Sequence, residues 1–172
     1  MFARLRAGKT FTAAQYMKNK GKIYAFDLYE HRVKLISEGA ERLGIDIISA
    51  WQGDALSLRK DLIGTADRVL CDVPCSGLGV IGKKPEIRYK SLDLIDKLTQ
   101  TQYNILINAS EYLKPDGLLV YSTCSLNKAE NEDVCDRFLS EHSNFVKYKD
   151  YLTLFPHINN SDGFFIAVFR RI

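Results

Sequence analysis

"KIYAFDLYEHRVKLISEGAERLGIDIISAW", residues 22–51, decides the class of fold. "KIYAFD" (22–27) is a short apolar run closed by a carboxylate. "EHRVKLISEGAERLG" (30–44) has its apolar residues at helical spacing and stops at Gly44, and "DIISAW" (46–51) is a second short apolar run. Strand, helix and strand in succession make a βαβ unit with parallel strands. The same alternation continues outward. "ADRVLCDV" (66–73) reads as a strand, and "SLDLIDKLTQTQYNILINASEYL" (91–113) as a helix with Ser91 as its N-cap. "KPDG" (114–117) is a turn, "LLVYSTC" (118–124) a strand, "KAENEDVCDRFLSEH" (128–142) a helix and "GFFIAVFRR" (163–171) a last strand. The pattern predicts an α/β fold with a mainly parallel, doubly wound sheet covered on both faces. With no repeat and no linker rich in Pro, Gly or Ser, residues 1–172 read as one domain.

A net charge of +3 permits a polyanionic partner without requiring one. No apolar run approaches the roughly 18 residues of a membrane span. "MFARLRAGKT" lacks the apolar centre of a secretory signal, so a cytoplasmic protein without a membrane partner is expected. Cys71, Cys75, Cys124 and Cys135 show no CxxC pairing, which points to reduced thiols rather than a zinc site, other metal centre or disulfide framework.

In open α/β sheets ligands bind at the carboxyl ends of the strands. Those ends carry Asp27, Asp54 in "WQGDA", Asp72 with Cys75, and Cys124. An acidic residue closing the second strand is the usual device for holding ribose hydroxyls. Each residue alone has an ordinary reading: Asp27 as a helix-cap neighbour, Asp54 as a loop residue, either cysteine as a small apolar side chain. Five of them at four strand ends point to a site.

"DVPCSGLGVIGKKPEIRY" (72–89), "LLVYSTCSLNKAENE" (118–132) and "DGFFIAVFRR" (162–171) resemble the motifs of the RNA cytosine-5 methyltransferases, in particular the bacterial 16S ribosomal RNA branch. The resemblance runs in order from about Gly8 to the C-terminus, and the pairing of "PCSG" with "STCS" is its most specific part. It implies a Rossmann-like class I fold, S-adenosylmethionine as methyl donor, and 5-methylcytosine in 16S ribosomal RNA as product. Carbon 5 of cytosine is a weak nucleophile, and a thiolate that adds to carbon 6 turns the ring into an enamine able to take a methyl group. The resemblance makes Cys124 that nucleophile and Cys75 the residue assisting proton removal and release. Asp72 is implied to hydrogen-bond the cytosine ring near N3. DNA cytosine methyltransferases use the Pro-Cys thiol as nucleophile, so the second thiol in "STCS" favours the RNA class. Gly8, Lys9, Asp27, Asp54 and Asp72 are implied to bind the methyl donor, with Asp27 at the ribose, Asp54 near the adenine, and Gly8 and Lys9 at the methionine end. Lys83, Lys84, Arg88 and Lys90 are placed to meet RNA phosphates, with Tyr89 available to stack on a base.

"AGKT" (7–10) fails as a phosphate-binding Walker loop, because Ala3 stands where that pattern needs glycine. Against the family's methyl-donor motif, approximately "DLCAAPGGKT", Gly8, Lys9 and Thr10 align and "MFARLRA" does not. The expectation is a sheet lacking a normal first strand, its place taken by a short substitute from Phe2 to Leu5. The family's N-terminal RNA-binding region, related to the NusB fold, is expected to be absent. Two functions are open on this reading: an RNA cytosine methyltransferase whole in its catalytic half, or a fragment that keeps the fold and weak RNA binding but does no chemistry.

Overall fold

The structure, a computed structural model, describes residues 2–4, 7–89, 91 and 95–172. Its elements run β1 (Phe2–Arg4), α1 (Ala7–Tyr16), β2 (Ile23–Asp27), α2 (Glu30–Arg42), β3 (Ile48–Gln52), β4 (Ala66–Asp72), α3 (Ile95–Glu111), β5 (Leu113–Thr123), α4 (Glu132–Glu141), β6 (Phe145–Leu154), α5 (Pro156–Asn159) and β7 (Phe164–Arg171). The strands form one sheet in the order β3-β2-β1-β4-β5-β7-β6. The pairs from β3 across to β5 are parallel, and β7 runs antiparallel to both β5 and β6. The order reverses at β1, so the crevice for a ligand lies above the carboxyl ends of β1, β2 and β4.

The central slot is occupied by a strand of only three residues. It pairs Phe2 with Tyr24 and Ala3 with Ala25 on one side, and Phe2, Ala3 and Arg4 with Val69, Leu70 and Cys71 on the other. The shortened first strand thus serves as the short substitute, as expected for residues 2–4, while Leu5 lies outside the described residues. These ladder bonds matter because an unpaired buried backbone group costs about 1–3 kcal/mol.

One face of the sheet packs Val69, Cys71, Leu119, Tyr121, Phe165, Ala167 and Phe169 against α3 and α4, with Phe138 of α4 fully buried among them. On the other face, α1 and α2 cover the buried Ile23 and Ala25 of β2. The two helices meet so closely that a Cβ on Gly39 would sit 2.4 Å from the Phe11 ring.

Four segments depart from the sequence-based expectations. β6 reads in the sequence as irregular because register shifts at Lys147/Lys149 and Lys149/Leu152 break its two-residue period. Its lysines suit an edge strand, where charge discourages pairing with another chain. α1 shows no helical stripe because only Thr10 and Ala14 are buried on it. The helix expected at 128–142 is broken: residues Lys128–Glu130 form a 3-10 turn, Asn131 has φ −115° and ψ −96°, and α4 begins at Glu132. The turn expected at "KPDG" is instead part of β5, as a bulge between Leu113 and Leu118 with Asp116 at φ 62°. The cap expected at Ser91 adjoins residues 92–94, which lie outside the described residues.

Candidate active site

Parallel strands end on one rim, and short loops keep the residues after them close to it. Asp27 closes β2, Asp72 closes β4 and Cys124 comes directly after β5. The loop after β4 then returns Cys75 to the same rim. Lys9, Asp27, Asp72, Cys75, Cys124 and Phe164 line one cavity of about 450 Å³.

The two thiols, 49 residues apart in sequence, meet with Cys75 Sγ 3.1 Å from Cys124 Sγ. The Cys75 thiol is pushed well up, first by its hydrogen bond with Cys124 and then by burial. Asp72 Oδ1 accepts from Lys9 Nζ at 2.7 Å and from Ser122 Oγ at 3.1 Å. The Lys9 ammonium also stands 4.8 Å from the centroid of the Phe164 ring. Asp27 is buried; its Oδ1 accepts from Tyr29 N at 3.0 Å and its Oδ2 lies 3.7 Å from Arg32 Nη1.

Around the cysteines is a layer of polar groups that sequence reasoning did not single out. Glu130, fully buried, accepts from Ser76 N, Ser76 Oγ, Ser125 Oγ and Gln102 Nε2. Thr123 Oγ1 donates to Asn131 Oδ1 at 2.6 Å, and Asn131 Nδ2 donates to Ser125 O at 3.0 Å. The only hint in the sequence was the "AENE" run, which reads as the solvent face of a helix.

Other expected site residues fall elsewhere. Asp54 does not reach the cysteine cavity: it is exposed, accepts from Leu56 N at 2.9 Å, and lines a separate hollow with Phe26, Gly53 and Tyr112. Gly8 is exposed in the first turn of α1, and a Cβ there would meet nothing within 4 Å. Lys83 pairs with Asp162 at 2.6 Å, and Lys84 and Arg88 are exposed on the loop that carries Tyr89, itself 85% exposed. Lys90 lies outside the described residues.

The sequence model of the family described as "16S rRNA methyltransferase RsmB/F" matches residues 6–170. The chain belongs to the RsmB/F family. Members of this family take a methyl group from S-adenosylmethionine and give it to ribosomal RNA. The "Probable ribosomal RNA small subunit methyltransferase B" of Bacillus subtilis (strain 168) is 38% identical over 95% of this chain. This chain spans 41% of the length of that relative. Among solved structures, PH0851 superposes with a TM-score of 0.93 at 36% identity, covering 99% of this chain and 42% of that one. NSun6 from Pyrococcus horikoshii, crystallised with SFG, gives 0.88 at 31% identity, covering 99% of this chain and 47% of its own. The RsmB/F chain has the Rossmann-like class I methyltransferase fold, and among its described residues no helix is long and apolar enough to cross a membrane.

The thiols also give this RsmB/F domain a pH signature. Cys75 is pushed up by its partner and by burial, and the Cys135 thiol by burial first. A thiol in the unfolded chain titrates near about 8.5. The stability these two protons provide is complete below that pH and is lost as pH rises toward the folded values. Denaturant melts should therefore give a flat free energy of unfolding up to about pH 8 and a decline above about pH 9, limited by about 1.4 kcal/mol per pH unit per thiol. Cys75→Ser should reduce the slope by about half. An unchanged stability from pH 8 to pH 10 would count against the buried thiol pair.

Proposed function

We propose that this chain carries the catalytic chemistry of a cytosine-5 methyltransferase acting on 16S ribosomal RNA through a covalent cysteine adduct. The observation that carries the reading is the approach of two thiols to 3.1 Å beside Asp72 at the strand rim.

The residues suit the methyl donor. The cavity has the volume of a nucleoside-sized ligand. The buried Asp27 offers a carboxylate to vicinal hydroxyls, and the open space over Gly8 at the start of α1 admits a ligand close to the backbone. Asp54, on its separate hollow, is proposed to meet the adenine edge from outside the cysteine cavity. When bound, S-adenosylmethionine supplies an electrophilic methyl group.

The protein's own groups do the rest. In this reading Cys124 is the anionic member, with the S–H of Cys75 turned toward its sulfur, and it attacks carbon 6 of the base. Once Cys124 is a neutral thioether, the charge that held the proton on Cys75 is gone. Cys75 then releases that proton to solvent and takes the proton from carbon 5, and elimination expels Cys124 as thiolate. Asp72 steadies the ring edge near N3, where charge changes during attack, and Lys9 holds Asp72 in place. Lys83, Lys84 and Arg88 face RNA phosphates, and Tyr89 offers a stacking surface. The target cytosine is single-stranded or flipped out of its stack to reach the thiols.

A second reading, a domain that keeps the fold and weak RNA binding without methyl transfer, is favoured by "MFARLRA", which does not match the family's methyl-donor motif. Calorimetry separates the two. The mismatch at "MFARLRA" leads to an expected dissociation constant for S-adenosylmethionine above about 1 µM, that is, less than about 8 kcal/mol of binding. Asp27→Ala should remove the heat of binding. Tighter binding would show that β1 suffices; no binding up to millimolar donor would leave the second reading standing.

A further inference from the structure

The loops that carry Cys75 and Cys124 are joined through one buried side chain. Glu130 accepts from Ser76 N at 2.8 Å and Ser76 Oγ at 2.5 Å on one side, and from Ser125 Oγ at 2.7 Å on the other. Gln102 Nε2 closes the arrangement, donating to Glu130 Oε1 at 3.0 Å and to Pro74 O at 2.9 Å. The two serine hydroxyls also meet, 3.0 Å apart. Pro74 and Ser76 bracket Cys75, and Ser125 adjoins Cys124. Two fixed N–H donors meet Oε1 and two hydroxyls meet Oε2, so the carboxylate accepts from all four groups at once. The break at Asn131 turns Glu130 inward, away from the solvent face that a continuous helix would give it.

We propose that Glu130 is the positioning residue of the cysteine pair: by holding Ser76 and Ser125 on one carboxylate, it sets the separation at which Cys75 and Cys124 face each other. It touches neither sulfur in the contacts described and acts through the residues beside them. The catalytic consequence rests on the reading of the two thiols as reacting groups. The spacing itself does not, and it can be measured in the resting protein without RNA or methyl donor.

Oxidative closure reads that spacing. Diamide takes two electrons and two protons from the two thiols, leaving a Cys75–Cys124 disulfide and the reduced hydrazine. The product is found by peptide mapping as a cross-linked pair two hydrogens lighter. The wild-type chain should close rapidly. Glu130→Ala, at a temperature where circular dichroism shows it folded, should close at least about tenfold more slowly, since proximity effects fall off steeply with misplacement. Glu130→Asp should recover part of the rate. Throughout, buried Cys71 and Cys135 should stay protected from iodoacetamide. Where Glu130→Ala does not fold, the Ser76→Ala, Ser125→Ala double variant removes both hydroxyl arms, leaves the carboxylate in place, and decides in the same way. Wild-type closure in a folded variant would overturn the proposal. Slow closure accompanied by alkylation of Cys71 and Cys135 would also overturn it, because that is general loosening. A chain that transfers no methyl group but shows the predicted closure rates would sink the functional reading and leave this one intact.

Discussion

Replacing Cys124 by alanine is expected to abolish methyl transfer to RNA, by about 10⁴-fold or more, the scale seen when a covalent catalyst loses its nucleophile. It should also abolish the denaturant-resistant complex that the wild-type chain forms with RNA containing 5-fluorocytosine. In that analogue carbon 5 carries fluorine and no removable proton, so elimination cannot occur after methylation and the thioether bond persists. Cys75→Ala should behave in the opposite way. It retains attack and loses the group that takes the carbon 5 proton, so a covalent complex with ordinary RNA accumulates. The two sulfurs are 3.1 Å apart, close enough for one to hold a proton while the other attacks. An adduct that survives the loss of Cys124 would exchange the roles of the two cysteines. No adduct from the unaltered chain would favour the reading without chemistry.

Gly79→Ala is expected to be the most damaging substitution of a residue that carries no chemistry. A Cβ there would lie 2.2 Å from Gly163 O, 2.6 Å from Gly163 C and 2.9 Å from Cys124 O, all backbone atoms that cannot rotate away. Gly79 is also tied on both sides, its N–H donating to Cys124 O at 2.9 Å and its carbonyl accepting from Gly163 N at 2.7 Å. Forcing these strands of backbone apart should cost about 3 kcal/mol. That corresponds to a fall in Tm of about 6–12 °C for a domain of this size. The same displacement would move Cys124, so thiol closure with diamide should slow as well. Gly82, where a Cβ meets nothing within 4 Å, is the control, and its alanine variant should stay within about 0.5 kcal/mol of the parent. A Gly79→Ala protein melting within about 2 °C of the parent, well short of the expected fall, would mean that the loop has another way to seat.

The sequence by itself determined the layering and the rim. Apolar runs alternating with amphipathic ones allow little other than a parallel sheet with helices on its faces. Parallel strands must end on the same side, so Asp27, Asp72 and Cys124 were legible as neighbours before any coordinates. The cysteine motifs were legible for a related reason: their chemistry is carried by particular residue types at loop positions.

Only the tertiary structure decided the rest, because those features depend on contacts between segments far apart in the chain. Three residues can serve as a central strand because β2 and β4 supply hydrogen bonds on both sides, which no local propensity records. The sequence put Asp54 just past the carboxyl end of β3, where it is; that it borders a hollow separate from the cysteine cavity follows from the packing around it. Glu130 shows the difference most plainly. Its local pattern is that of an exposed helical carboxylate, and burial of an acidic group is unfavourable unless donors meet it. Ser76, Gln102 and Ser125 arrive from three other segments to do so. The helix breaks at Asn131 to let the side chain turn toward them.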